Sequence, residues 1–135
     1  MKEVEQLVDQ LFAHALAASD NAYSPYSGVR VGASVLDEDG HIHSGCNVEN
    51  SSFGLTQCAE RSALASAINA GMQKGRANVI LIYATGFDVL APCGACRQVM
   101  SELMARDAIV ISCQSEQAYR VWSVEELLPN SFVLS

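Results

Sequence analysis

The sequence has few basic residues, no long apolar run and little aromatic content. No apolar run approaches the ~18 residues that a membrane-spanning helix needs, and the amphipathic N-terminus lacks the pattern of a signal peptide. Lysine and arginine number 8 against 15 aspartates and glutamates, which gives a net charge of −7. Because nucleic-acid affinity depends mainly on basic side chains that neutralise phosphates, we expect no nucleic-acid partner. A small uncharged substrate suits this composition better, and no membrane association is expected.

Length and composition predict a single globular domain over residues 1–135. Half of the residues are apolar and 17% are charged, which is typical of folded chains rather than disordered ones. A chain of this length can bury a substantial core. With no sign of secretion, the five cysteines are expected to be cytoplasmic thiols rather than a disulfide framework.

Hydrophobic periodicity predicts helices and strands in alternation. Apolar residues keep helical spacing over 4–16, and alternation over 29–35 predicts a strand. A turn at 37–40 leads to a second strand over 41–46. The remaining predicted elements are helices at 58–70, 92–104 and 123–129 and buried strands at 79–84 and 109–113. This order predicts an α/β fold, a three-layer α/β/α sandwich.

Three cysteines and one glutamate form the most specific motif. Cys58, Ala59 and Glu60 read C-A-E, and Cys93 and Cys96 belong to P-C-G-A-C. Zinc nucleobase deaminases carry H-x-E followed by P-C-x-x-C, and three cysteines can replace the His/Cys/Cys set. Catalytic zinc sites use three protein ligands, whereas structural sites use four. The motif therefore predicts Zn²⁺ bound by the three cysteines, with Glu60 as the general acid and base.

Both halves of the motif fall at the starts of predicted helices. Partial positive charge at a helix N-terminus lowers thiol pKa values and favours the thiolates that zinc binds. Three thiolates leave the zinc site with a net charge of about −1, which makes a bound water less acidic. A compensating cation is therefore expected. Arg61 and Arg97 each follow a motif residue directly, although a surface ion pair is an equally good interpretation of Arg97.

The chain resembles the small homotetrameric type of cytidine deaminase over nearly its whole length. The segments that carry the resemblance are 25–27, 31–33, 45–50, 58–61, 92–98 and 126–129. Within them, Asn47-x-Glu49 narrows the match from the wider deaminase superfamily to the branch that acts on nucleosides. The resemblance implies a mixed five-stranded sheet flanked by helices, a zinc cofactor and a homotetramer whose subunits complete one another's active sites.

The same resemblance implies roles for individual residues. Glu60 would carry protons from the attacking water to N3 of the base and then to departing ammonia. Arg61 would lie behind the metal ligands and offset the negative charge of the thiolates. Asn47 and Glu49 would hold the ribose 3′-hydroxyl, and the backbone of Ala59 would meet the pyrimidine carbonyl.

Three further positions bear on the substrate. Phe132 would be the aromatic residue that reaches a neighbouring subunit's base. Many relatives have phenylalanine at the position of Val29 and tyrosine at that of Phe53, so this chain lacks an aromatic face beside the base and a hydroxyl near the sugar. The leading hypothesis is hydrolytic deamination of cytidine and 2′-deoxycytidine to uridine and 2′-deoxyuridine with release of ammonia, a reaction of pyrimidine salvage. The two departures leave open a modified cytosine nucleoside, such as a nucleoside antibiotic.

Two other classes of function fit the sequence less well than nucleoside deamination. A nucleic-acid-editing deaminase would need a basic stripe that the sequence lacks. A structural zinc module would need a fourth thiolate from Cys46 or Cys113, and a glutamate beside an open site argues against it. Otherwise we interpret those two cysteines as buried strand thiols, and His41 and His43 as neighbours on one solvated face of a strand.

Overall fold

The computed structural model describes residues 3–86 and 89–134, which contain four α-helices and five strands. In chain order these are α1 (Val4–Ser19), β1 (Val31–Asp37), β2 (Ile42–Cys46), α2 (Ala59–Asn69), β3 (Ala77–Ala84), α3 (Gly94–Leu103), β4 (Met104–Cys113), β5 (Tyr119–Ser123) and α4 (Val124–Leu127). A single 3₁₀ turn, Phe53–Leu55, precedes α2. Among the described helices, none has both the length and the apolar character needed to cross a bilayer.

The five strands form one mixed sheet in the order β2-β1-β3-β4-β5. The β3–β4 pair is parallel and the other three pairs are antiparallel. This arrangement confirms the mixed five-stranded sheet that the resemblance implied. The hydrophobic pattern alone predicts only four strands and misses β5. Every position of β5 is exposed or only half-buried, because an edge strand is covered less than a central one.

The core lies in two layers, one on each face of the sheet. Alternate residues of β3 separate cleanly, with Ile80 and Ile82 in one cluster and Val79 and Leu81 in the other. The first cluster includes residues of α2, α3 and α4, and the second includes residues of α1. The predicted three-layer α/β/α sandwich is therefore confirmed.

Two glycines let helices approach the sheet at backbone distance. A Cβ built on Gly32 of β1 would lie 1.8 Å from the carbonyl oxygen of Ala15 in α1, and one on Gly45 of β2 would lie 2.5 Å from the amide nitrogen of Ala63 in α2. Both contacts are with backbone, so neither can be relieved by a side-chain rotation. Gly45 thereby lets α2 lie directly against the backbone of β2.

The prediction of a solvated histidine face was wrong for His43. β2 begins at Ile42, so His41 precedes the strand and is exposed, whereas the side chain of His43 is only 11% exposed. His43 Nε2 lies 2.9 Å from Oδ2 of Asp37, a buried carboxylate at the end of β1. Burial opposes ionisation of Asp37, but the hydrogen bonds from His43 and from the N–H groups of His41 and Asp39 outweigh it and lower its pKa. A buried carboxylate needs such partners, and this need turns His43 inward.

The remaining cysteines lie apart from the motif. Cys113 in β4 is buried, as predicted, and burial raises the pKa of its thiol to about 12. Cys46 at the end of β2 is only half-buried. Both are free thiols.

Candidate active site

The three motif cysteines converge at the starts of α2 and α3. Cys58 and Cys93 occupy the N-cap positions, one residue before each helix, and Cys96 lies in the first turn of α3. The sulfur atoms of Cys58 and Cys93 are 3.9 Å apart, and all three sulfurs lie within 4.8 Å of one another. The backbone at Cys58 and Cys93 is extended, so each helix begins slightly later than the sequence predicts.

The spacing and chemistry of this cluster fit zinc. Tetrahedral zinc with Zn–S bonds of about 2.3 Å requires sulfurs about 3.8 Å apart, close to the observed 3.9 Å. Within residues 3–86 and 89–134, no fourth histidine, cysteine, aspartate or glutamate belongs to this group, and Cys46 and Cys113 stay outside it. Three thiolates with no fourth protein ligand match a catalytic zinc site rather than a structural one.

Arg61 supplies the positive charge that the thiolates require. Its Nη2 donates to Sγ of Cys58 at 3.3 Å and to the carbonyl oxygen of Thr56 at 3.3 Å. The neighbouring thiol of Cys96, followed by the guanidinium of Arg61, lowers the pKa of the Cys58 thiol. The hydrogen bond to Cys58 in turn raises the pKa of Arg61. The side chain of Arg61 is thus placed to stabilise the ionised form of one metal ligand.

Arg97 fits neither interpretation that the sequence offered. Its Nε donates to the carbonyl oxygen of Pro92 at 2.7 Å, and its Nη1 donates to that of Leu127 at 3.1 Å. In the part of the chain that the structure describes, it forms no ion pair with a carboxylate and no hydrogen bond to a thiol. Arg97 instead ties the segment just before Cys93 to the end of α4.

Glu60 is buried beside the cysteine cluster. Glu60 is 7% exposed, and burial raises the pKa of its carboxyl group. Glu60 lines a cavity of about 210 Å³ together with Cys58, Cys93, Ala59 and Asn47. None of the described residues that line this cavity is a lysine or an arginine. The cavity therefore suits an uncharged ring placed between a metal site and a carboxyl group whose proton affinity is raised.

Asn47 has a structural role that the sequence did not reveal. Its Oδ1 accepts the N–H of Val31 at 2.8 Å, and its Nδ2 donates to the carbonyl oxygen of Val29 at 2.9 Å. The side chain amide has two N–H groups and two acceptor positions, so one of each is left for a ligand. Asn47 therefore fixes the backbone at residues 29–31, where β1 begins, and one of its N–H groups remains free to donate to a ligand in the cavity.

Glu49 is held by the loop before β1. Its carboxylate accepts hydrogen bonds from the backbone N–H groups of Tyr26 and Ser27 and from the hydroxyl of Ser27. The hydroxyl bond contributes most to lowering the pKa of Glu49, so the carboxylate is kept ionised. Glu49 lines a second cavity, beside the first, and Thr56 contributes to both.

Val29, Phe53 and Phe132, the other residues predicted to contact the substrate, do not belong to the described lining of the cavity that Glu60 lines. Val29 is half-buried, and its carbonyl group is bound by Asn47, but Val29 is not among the described residues lining the first cavity. Phe53 is 75% exposed, lines the second cavity and packs edge-on against Tyr26 with ring centroids 5.9 Å apart. Phe132 is 70% exposed, and its carbonyl oxygen accepts a hydrogen bond from Gln98 at 2.6 Å. Within one chain, neither phenylalanine ring lines the first cavity in the described residues.

Two residues that matter to the site received no role from the sequence. Thr56 acts through a backbone carbonyl that binds Arg61, and a backbone group leaves no signature in the residue type. Ser27 binds Glu49 across 22 residues of sequence, and a serine after proline and tyrosine is typical of any turn. Only the fold brings these groups to the site.

Comparison with known proteins connects this geometry to a family. Residues 5–112 match the family model described as the cytidine and deoxycytidylate deaminase zinc-binding region. The cytidine deaminase of Halalkalibacterium halodurans is 43% identical over 124 residues, which cover 90% of this chain and 91% of that protein. The cytidine deaminase of Sporosarcina psychrophila is 38% identical over 125 residues, which cover 93% of this chain and 90% of that protein.

A solved structure of a cytidine deaminase is also similar to this chain in sequence and in fold. The crystal structure of cytidine deaminase from Burkholderia pseudomallei is 42% identical, covers 97% of this chain and 100% of that chain, and superposes with a TM-score of 0.86. The region matched by the family model spans both cysteine motifs, Glu60 and strands β1, β2 and β3 of the sheet. The resemblance inferred from the sequence is thereby confirmed, and the chain belongs to the cytidine and deoxycytidylate deaminase family of zinc-binding proteins.

Proposed function

We propose that this protein converts cytidine and 2′-deoxycytidine to uridine and 2′-deoxyuridine by hydrolysis, with release of ammonia, as a cytoplasmic enzyme of pyrimidine salvage. The observation that carries the proposal is the shared cavity of Glu60, Cys58 and Cys93, with Cys96 completing the thiol cluster. The related proteins from Halalkalibacterium halodurans and Burkholderia pseudomallei, both named cytidine deaminase, support it.

Cys58, Cys93 and Cys96 would hold the zinc ion. When bound, zinc lowers the pKa of a coordinated water and so supplies the nucleophile for attack on C4 of the base. Arg61 would donate to the Cys58 sulfur and reduce the excess negative charge of the three thiolates. The charge on Arg61 therefore adjusts the acidity of the site without contacting the substrate.

Glu60 would move the protons of the reaction. The buried carboxylate takes one proton from the attacking water and delivers it to N3 of the cytosine ring. It then takes the remaining proton from the hydroxyl now bonded to C4 and gives it to the departing amino group, as the C4–N bond breaks and ammonia leaves. Burial raises the pKa of Glu60 and makes its carboxyl group a better proton acceptor than an exposed glutamate. One group can therefore serve successive steps as base and as acid.

Asn47 and Glu49 would bind the sugar. Asn47 has one N–H left to donate, and Glu49 has one acceptor position left on Oε2. A hydroxyl group both donates and accepts, so the ribose 3′-hydroxyl can satisfy both residues at once. The backbone of Ala59 would meet the pyrimidine carbonyl. The absence of lysine and arginine from the described lining of the cavity favours a nucleoside over a phosphorylated nucleotide.

A homotetramer would complete the site. Phe53, Phe132 and Leu134 are each at least 70% exposed, which leaves large apolar side chains available for contact with another subunit. In this arrangement Phe132 would reach the base bound by a neighbouring subunit, and Phe53 would lie near the sugar in an adjacent site. Light scattering of the purified protein measures the number of subunits directly.

The test is a nucleoside panel assayed with zinc-loaded protein. We expect ammonia release and conversion to the uridine product for cytidine and 2′-deoxycytidine, and loss of turnover by about 10²–10⁴-fold or more in Glu60→Gln with zinc retained. Loss of zinc from Glu60→Gln would make Glu60 a ligand and contradict the mechanism. Preference for a base-modified cytosine nucleoside would favour the alternative suggested by Val29 and Phe53.

A further inference from the structure

Glu49 is fixed by three hydrogen bonds from a short loop that is distant in sequence. Its Oε1 accepts the N–H of Tyr26 at 2.9 Å and the N–H of Ser27 at 3.1 Å. Its Oε2 accepts the hydroxyl of Ser27 at 2.5 Å. These bonds hold the carboxylate in one orientation.

The bonds also determine where Glu49 can accept another hydrogen. A carboxylate offers about four acceptor positions, two on each oxygen. The two backbone N–H groups fill both positions on Oε1, and the Ser27 hydroxyl fills one on Oε2. A single position on Oε2 is left, and the Ser27 hydroxyl decides which one it is.

Ser27 connects this carboxylate to the residue expected beside the base. The N–H of Val29 donates to Oγ of Ser27 at 3.0 Å, while the one hydrogen of that hydroxyl goes to Glu49. Gly28 has a φ of 73°, which lets the chain turn back between the two residues. The carbonyl group of Val29 is bound by Asn47, so the two proposed sugar ligands are held by the same loop.

We propose that Ser27 is a positioning residue that acts through Glu49 on the 3′-hydroxyl of the nucleoside sugar. The inference rests on the proposed function, in which Asn47 and Glu49 bind that hydroxyl. The hydrogen of Ser27 is used by Glu49, so Ser27 affects the substrate by orienting the carboxylate. It thereby contributes to selection for a sugar with a free 3′-hydroxyl group.

Steady-state kinetics of Ser27→Ala on two substrates test the proposal. Cytidine and 3′-deoxycytidine differ by the one hydroxyl on which Ser27 is expected to act. For cytidine, kcat/KM should fall by about tenfold, mainly through a higher KM, because a sugar contact is made equally in the ground state and the transition state. For 3′-deoxycytidine the fall should be less than about twofold, since non-additive losses are the mark of coupled groups.

Matched variants separate this role from a general effect on the loop. Ser27→Thr keeps the hydroxyl and Ser27→Val replaces it with a methyl group of similar shape, so the pair gives the same comparison if Ser27→Ala disturbs folding. Ser51→Ala removes a hydroxyl that bonds to Tyr26 in the same region without touching Glu49, and should change both substrates by the same factor. Zinc content and the thermal midpoint establish that each variant is folded.

The possible failures can be told apart. Equal losses for both nucleosides in Ser27→Ala and in Ser27→Val would reduce Ser27 to a structural residue and overturn this inference alone. Absence of cytidine turnover by the unaltered, zinc-loaded chain would refute the proposed function, and this inference with it.

Discussion

Asn47 should stabilise the folded protein before any nucleoside binds. Its side chain accepts the N–H of Val31 and donates to the carbonyl group of Val29, and the residue is only 8% exposed. Asn47→Ala removes both hydrogen bonds and leaves one backbone donor and one backbone acceptor without partners. Each unsatisfied buried group costs about 1–3 kcal/mol, so we expect the free energy of unfolding to fall by about 2–4 kcal/mol, allowing for partial access of water.

Urea denaturation without nucleoside, at a fixed zinc concentration, measures this loss. The midpoint should move to lower urea with an unchanged slope, and the thermal midpoint should drop by roughly 8–16 °C. Asn50→Ala is the matched control, because Asn50 is exposed and its side chain accepts the N–H of Ser52, one local hydrogen bond two residues away. That control should stay within about 0.5 kcal/mol of the unaltered protein. Equal stability of Asn47→Ala and the unaltered protein would refute the structural role and leave Asn47 a purely substrate-binding residue.

The remaining predictions concern charge, pH and the base pocket. Arg61→Gln should weaken turnover more than zinc binding and move the acidic limb of the pH–rate profile to higher pH, because a cation beside the Cys58 sulfur is lost; an unchanged profile would contradict this role. Asp37 has a lowered pKa in the folded state, so its stabilising effect is present above its unfolded pKa of about 3.9 and is lost as the pH falls through the folded value. Asp37→Asn should accordingly unfold at lower urea near neutral pH, with the difference from the unaltered protein shrinking below about pH 4; a constant difference at all pH values would be the wrong outcome. Val29 is not among the described residues that line the first cavity, so Val29→Phe tests whether a larger ring at this position reaches the base. The KM for cytidine should then fall by roughly 3- to 10-fold through stacking on the base; an unaltered KM would show that position 29 does not border the base.

The metal site was predictable because its residues lie in two short motifs with fixed spacing, each at the start of a helix. Cys93 and Cys96 lie three residues apart at the start of one helix, and Cys58 and Glu60 lie two residues apart at the start of another. Local helix geometry then determines much of their relative placement. Residue type and spacing carry enough information for such a site.

The contacts around the sugar pocket were not predictable in the same way. Ser27 reaches Glu49, and Asn47 reaches the backbone at 29 and 31, only because β1 and β2 pair in a particular register. Backbone groups such as the carbonyl of Thr56 have no sequence signature at all. The prediction for His43 was wrong for a related reason. Its orientation is set by the buried carboxylate of Asp37, a neighbour that periodicity does not identify.

The close contact at Gly45 has a consequence for how sequences of this family can diverge. Because α2 rests on the backbone of β2 at Gly45, this main-chain contact helps to place the helix that begins directly after Cys58, together with the side chains that α2 buries in the core. Core residues can be exchanged over evolutionary time, but this one position has to stay glycine if the contact is to be kept. The Burkholderia pseudomallei enzyme shares 42% of its residues with this chain and superposes with a TM-score of 0.86, so the fold is kept through extensive change in sequence.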